Sequence, residues 1–126
     1  MKDIEKEIDI LNDILNKMDV KGFQFRYYNV VGDMITLSIP RITCDGRYMN
    51  KGFWKSIADM FPCKPSEIDE LLNNIEKVRK LGHLEDGKHY NYLGVNDNGI
   101  EFLKCYQTCN SFDELKLKLQ IMGYDV

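Results

Sequence analysis

Residues 66 to 95 restrict the fold more than any other part of the chain. Apolar residues recur there at three- and four-residue steps, which predicts an amphipathic helix, and they are Ile68, Leu71, Leu72, Ile75 and Val78. Ser66 is a favoured helix cap and Gly82 a favoured helix terminator. The pair Asp86-Gly87 then signals a tight hairpin between short apolar stretches. A helix that leads into a two-stranded ribbon over residues 83 to 95 is therefore predicted.

Two further helices are predicted around this unit. Residues 53 to 61 have amphipathic spacing and stop at the break Pro62-Cys63-Lys64-Pro65. Asn96 is a good cap for a helix that continues to about Cys109. The expected order is therefore helix, turn, helix, ribbon, helix.

This order resembles the winged helix-turn-helix superfamily of bacterial and archaeal regulators. The resemblance rests on three motifs, which are Leu81-Gly82-His83-Leu84, Asp86-Gly87-Lys88-His89-Tyr90 and Val95-Asn96-Asp97-Asn98-Gly99-Ile100-Glu101-Phe102-Leu103. In that superfamily a Leu-Gly-Leu or Leu-Gly-Ile step ends the recognition helix, a wing follows, and Leu-Thr-x-x-Gly-x-x-x-Leu opens the next helix. Val95 and Asn96 replace Leu and Thr here. The resemblance covers residues 54 to 104 and implies a DNA-binding regulator.

The chain departs from this family before Phe53. Residues 40 to 50, where the family has its first helix, indicate loop or strand because they contain Pro40 and an Asp45-Gly46 turn. The N-terminal helix is the candidate for that role. The predicted fold class is α+β, a winged helix-turn-helix with an added N-terminal helix and β-hairpin.

We expect one domain over residues 1 to 126. Its parts are an N-terminal helix (1–20), a β-hairpin or meander (22–49), the winged-helix core (52–109) and a C-terminal helix (111–123). Ser111 with Glu114 forms a capping box for the last helix, Gly123 ends it, and Met122 is expected to point inward.

The N-terminal helix carries an apolar seam with a/d spacing, which comprises Ile4, Ile8, Leu11, Leu15 and Met18. A helix of the domain's own core is the favoured interpretation, and a homodimer through this helix is the alternative.

The hairpin prediction places a two-residue turn at Gly32-Asp33, so that Val31 faces Met34. Phe25 and Tyr27 would then lie on the opposite face from the aliphatic residues. A bulge near Tyr27-Tyr28 is expected to restore the phase, the alternative being a sheet covered on both faces.

Composition is that of an ordinary globular chain, with 44% apolar and 29% charged residues among 126. No apolar run approaches a membrane span, and the charged opening is unlike a signal peptide, so a cytoplasmic location is expected. Cysteines 44, 63, 105 and 109 form no C-x-x-C pair, which favours reduced thiols. Cys105 is expected half-buried, and Cys109 near a frayed helix end.

Charge leaves two classes of partner open. Between Asn50 and Tyr92 there are seven basic and seven acidic residues, and the whole chain has net charge -3. This balance does not favour duplex binding, which depends mainly on neutralising phosphates. For double-stranded DNA the candidate contacts are Lys55, Lys64, Asn73, Asn74, Lys77, Lys80, Lys88 and His89. The alternative is an inhibitor or adaptor of phage or mobile-element type, which binds a protein partner and can mimic nucleic acid. Its candidate contacts are Glu67, Asp69 and Glu70.

No catalytic motif, cofactor site or metal site is predicted. The chain has only His83 and His89, and no nucleophile stands in a motif with a base and an orienting acid. Cys105 and Cys109 share a helix face at i and i+4, but structural zinc usually needs a second pair of ligands.

Overall fold

The computed structural model describes residues 4–29, 33–42, 48–56, 66–81 and 94–126. In chain order the elements are α1 (Ile4–Lys17), β1 (Gln24–Asn29), β2 (Asp33–Ile42), β3 (Tyr48–Ser56), α2 (Ser66–Leu81), α3 (Asp97–Thr108) and α4 (Phe112–Ile121). The strands form an antiparallel sheet in the order β1-β2-β3. The α+β class is therefore confirmed.

Helix α1 packs its apolar stripe against β1 and β2. The residues buried along the stripe are Ile8, Leu11, Ile14, Leu15 and Met18. The helix ends at Lys17, three residues before the predicted limit, because Asp19 adopts a left-handed φ of 56° and Val20 N bonds back to Leu15 O at 2.9 Å. Burial within the same chain supports the interpretation as a core helix, while the homodimer stays a prediction.

Asn12 ties α1 to the first strand. Its Nδ2 donates to the Phe25 carbonyl at 3.1 Å, and its Oδ1 accepts from the Phe25 N–H at 3.0 Å. A side-chain amide that satisfies both backbone groups of one residue fixes the helix along the strand.

The register of the first hairpin differs from the prediction. Tyr28, rather than Val31, pairs with Met34, and the pairing runs unbroken from Asn29↔Asp33 to Gln24↔Ser38. The expected bulge is therefore wrong for the described residues. A shift by an odd number of residues turns a strand over, so Phe25 lies opposite Leu37.

Two observations show how the middle of β2 is covered. Phe25 and Leu37 pair with each other and are both buried, so the aromatic and the aliphatic residue lie on the same face of the sheet. Ser38 is buried as well, although its side chain alternates with that of Leu37 across the sheet. This agrees with the alternative of a sheet covered on both faces at that point.

The helix predicted over residues 53 to 61 is wrong in its first part. Residues 53 to 56 belong to β3, with Phe53 opposite Leu37 and Ser56 opposite Met34. A nine-residue helix gains little stability alone, whereas pairing with the long strand β2 satisfies the backbone groups. Residues 57 to 61 lie outside the described residues, as do 82 to 93, which include nearly all of the predicted wing.

Helices α2 and α3 follow the predicted pattern. Helix α2 begins at Ser66, ends at Leu81 and buries its apolar face. Asn96 caps α3, since its Oδ1 accepts from Gly99 N at 3.0 Å. Phe102, Leu103 and Tyr106 are buried, and the rings of Phe102 and Tyr106 contact Phe25 of the sheet at centroid distances of 5.9 and 5.5 Å. The aromatic residues thus join the sheet to α3 in one core.

The α3–α4 corner is tighter than predicted. Cys109 is fully buried at the end of α3, where its thiol donates to the Tyr106 carbonyl at 3.3 Å, so the expected frayed end is wrong. The chain enters α4 at once, and Ser111 Oγ accepts from Glu114 N at 3.1 Å. Cys105 is also buried rather than half-buried.

Helix α4 ends where it was predicted to end, but one side chain near its end is more exposed than predicted. Gly123 has φ +99° and stops the helix. Met122, at the C-cap of α4, is 44% exposed rather than buried, although its Sδ contacts the Cys105 thiol at 3.5 Å.

Candidate interaction face on helix α2

The side of α2 that points away from the core carries polar and basic residues. Asn73, Lys77 and Lys80 are exposed and follow one another at helical steps of four and three, which places them in one stripe. We call these three residues the α2 stripe. Asn74 lies beside it and is half-buried. Four of the eight predicted DNA contacts therefore lie on this part of one helix.

The flank of α2 beside this stripe is fastened to α3 at two points. Gln107 Nε2 donates to Asp69 Oδ1 near the start of α2. Near its end, Arg79 Nη1 donates to Asp97 Oδ1 at 2.8 Å and Arg79 Nη2 to the Val95 carbonyl. The contacts lie ten residues apart on each helix in opposite order, so α2 and α3 run antiparallel.

These contacts separate the predicted acidic residues from one another. Asp69 and Glu70 are both exposed, but Asp69 accepts a hydrogen bond from Gln107 of α3. Glu67 lies in the first turn of α2. The three residues of the predicted protein-binding set thus share a helix end, but Asp69 also fastens the fold.

Charge is divided along α2. Acidic side chains occupy its beginning, and Lys77, Arg79 and Lys80 occupy its last turns. Lys80 Nζ lies 3.2 Å from Glu76 Oε1, with side-chain exposures of 72% and 66%. Because an exposed ion pair contributes little, Lys80 remains available to an external anion. The basic half of α2 is therefore the part suited to binding a phosphate.

A groove runs between α2 and α3 next to this basic half. Its floor is apolar and is formed by Leu72, Ile75 and Ile100, and its volume is about 450 Å³. Lys80 of α2 and Lys104 of α3 stand at its rim. Sequence reasoning missed Ile100 and Lys104 as site residues because only the antiparallel packing brings them beside α2.

The remaining predicted contacts are not assembled with this face by the described residues. Lys55 occupies a position on β3, not on a helix before α2. Lys64, Lys88 and His89 lie outside the described residues, and so do Cys63 and His83.

The thiol of Cys105 is buried next to the end of α4. Burial raises the pKa of this thiol above its ordinary value, and the Glu101 carboxylate adds to the rise. Its Sγ contacts Met122 Sδ at 3.5 Å. Within the described ranges, no three His, Cys, Asp or Glu side chains converge as a metal site requires.

Over the part of the chain that the structure describes, none of the helices combines the length and apolar character needed to cross a bilayer.

Comparison with known proteins adds no relative. No family model, curated protein or solved structure matches the chain. Its function is therefore inferred from the chemistry of the α2 face.

Proposed function

We propose that the chain is a small cytoplasmic regulator that binds double-stranded DNA through the α2 stripe. The observation that carries this proposal is the exposed run of Asn73, Lys77 and Lys80 along one helix. An Asn amide can form two hydrogen bonds with an adenine edge, and lysines can neutralise phosphates. The proposed fold is a winged helix, in which α2 reads the groove and residues 83 to 95 form the wing.

The hydrogen bond from Gln107 supports this proposal. An acidic residue at the start of a recognition helix opposes a phosphate backbone. The Asp69 side chain is exposed, and that bond turns it toward α3. Lys88 and His89 would contact the backbone from the wing, and Lys55 and Lys64 would bind flanking phosphates.

The test is a titration of a labelled mixed-sequence duplex, followed by fluorescence anisotropy at about 50 mM and then about 200 mM salt. Binding is expected at low salt and weaker binding at high salt, because bound phosphates release counterions. The double variant Lys77→Ala/Lys80→Ala should lose roughly tenfold or more in affinity at low salt, since two phosphate contacts disappear.

Lys17→Ala is the matched control. Lys17 is exposed and pairs with Asp13 at 3.1 Å across one helical turn, as Lys80 pairs with Glu76, but it lies on α1. Its replacement should leave duplex affinity unchanged. No binding of the wild-type chain at low salt, where phosphate contacts are strongest, would remove the DNA proposal.

A second candidate is a protein-binding inhibitor or adaptor that uses the acidic start of α2. The exposed Glu70 and the net charge of -3 favour it. The variant Glu67→Lys/Glu70→Lys separates the two functions and leaves the Asp69–Gln107 bond in place. Wild-type duplex binding that is lost in Lys77→Ala/Lys80→Ala supports DNA. Duplex binding that appears only after this charge reversal supports a protein partner, because added lysines attract phosphates on any surface.

A further inference from the structure

The groove between α2 and α3 has the make-up of a small-molecule site. Ile75 is buried, and Leu72 and Ile100 are partly buried against the core, so the floor is held in place by packing. A volume of about 450 Å³ falls within the usual range of ligand sites, which is roughly 300–1,000 Å³. The floor therefore suits an apolar body of one or two rings or a medium alkyl chain.

The rim of the groove selects for negative charge. Three cationic residues line it, Arg79, Lys80 and Lys104, against the single acidic residue Glu76 among the lining residues that the structure describes. Arg79 is held in position by Asp97, and the exposed pair of Lys80 with Glu76 is weak. Lys104 is exposed and has no ion pair with any residue in the described ranges. In a chain of net charge -3, this local excess of positive charge complements an anion.

We propose that this groove binds a small amphipathic organic anion, a carboxylate or sulfonate with an apolar body. The apolar body lies on Leu72, Ile75 and Ile100. The anionic group contacts mainly Lys104 and, to a lesser extent, Lys80. Burial of the body removes apolar surface from water, while the lysines supply orientation.

A regulatory consequence rests on the proposed function. Lys80 belongs both to the groove and to the α2 stripe, so an anion in the groove competes with a phosphate for the same ammonium group. Such a ligand is expected to weaken duplex binding, because two ligands that need one charge bind with negative coupling.

The probe for the groove is 8-anilinonaphthalene-1-sulfonate, whose fluorescence rises when its rings leave water. The folded wild-type chain should bind it saturably at low salt. Lys104→Glu should weaken the affinity by about tenfold, since it turns an attraction at the rim into a repulsion. Thermal unfolding followed by circular dichroism checks that the variant is folded.

Lys116→Glu is the control for another binding place. Lys116 lies on α4 beside the exposed Leu117 and Ile121, which form the alternative apolar surface for the probe. This variant should bind the probe as wild type does. Loss of binding in Lys116→Glu but not in Lys104→Glu, or no saturable binding at all, overturns the proposal.

A competition measurement separates this proposal from the DNA function. Decanoate should displace the probe from wild type and weaken duplex binding in the same concentration range. If the duplex never binds but the probe still depends on Lys104, the groove stands and the DNA function falls. If decanoate does not displace the probe, an alkyl carboxylate is excluded and the groove proposal is overturned for that class.

Discussion

Asn96 connects three parts of the chain through one amide group. Its Oδ1 accepts from Gly99 N at 3.0 Å and from Lys21 N at 3.1 Å, and its Nδ2 donates to the Asp19 carbonyl at 2.7 Å. The helix cap of α3 is therefore also the attachment point for the turn after α1. The turn after α1 and the chain before α3 lie close together, since a Cβ on Gly22 would lie 2.6 Å from the Val95 backbone.

Replacement of Asn96 by Ala should lower the free energy of unfolding by about 2–3 kcal/mol, because a cap and two further bonds are lost together. Urea unfolding followed by circular dichroism measures the change. Asn73→Ala is the matched control, since Asn73 is exposed on α2 and should change stability by less than about 0.5 kcal/mol. Equal effects of the two substitutions would show that the bonds of Asn96 add nothing.

At the level of elements, Arg79 fastens the end of α2 to the start of α3 by two unequal contacts. Its bond to Asp97 involves a carboxylate that is 90% exposed, so solvent screens it. Its bond to the Val95 carbonyl is partly buried. The carbonyl contact should therefore account for most of the stabilisation.

Arg79→Ala should cost about 1–2 kcal/mol of unfolding free energy, and Asp97→Ala less than about 0.5 kcal/mol. Chemical unfolding of both single variants and of the double variant gives the coupling between the two side chains. A coupling that equals the whole cost of Arg79→Ala would assign the effect to the ion pair instead.

How far each element could be predicted from the sequence depends on how local its signals are. The limits of α2, the Asn96 cap and the Ser111 cap follow from residues within one or two turns. Strand β3 was missed because residues 53 to 56 also fit helical spacing, and only pairing with β2 decides between the two. The prediction of the hairpin register was wrong for a similar reason. The length of the connection between the two strands decides which residues pair, and therefore which face each residue occupies.

The candidate site was predictable to the same extent. The α2 stripe follows from helical periodicity alone, so Asn73, Lys77 and Lys80 could be placed together. The contact of Asp69 with Gln107, and the positions of Ile100 and Lys104 beside α2, depend on how two helices separated by residues 82 to 96 pack. No local pattern carries that information.

At the scale of the molecule, helices and sheet share one hydrophobic core. Buried side chains from α1, β1, β2, α2, α3 and α4 belong to a single cluster. One core of this kind usually unfolds in one cooperative step. The single Trp of the chain, Trp54, lies on β3 and reports on the sheet, while circular dichroism reports mainly on the helices.

Leu11→Ala should therefore destabilise helices and sheet together by about 2–5 kcal/mol, since Leu11 is fully buried on α1. Trp54 fluorescence and circular dichroism should give the same urea midpoint in wild type and in the variant. Ile121→Ala, at a side chain that is 77% exposed, should leave that midpoint almost unchanged. Separate midpoints for the two signals would mean that the sheet and the helices unfold independently.

The two hydrogen bonds between Asn12 and Phe25 also limit what the edge of the sheet can pair with. They occupy the backbone groups that Phe25 directs away from β2, on the outermost strand. An unprotected margin of this kind recruits extended segments of other molecules and can start fibril growth. One asparagine on a neighbouring helix thus denies an incoming strand the pairing position at Phe25.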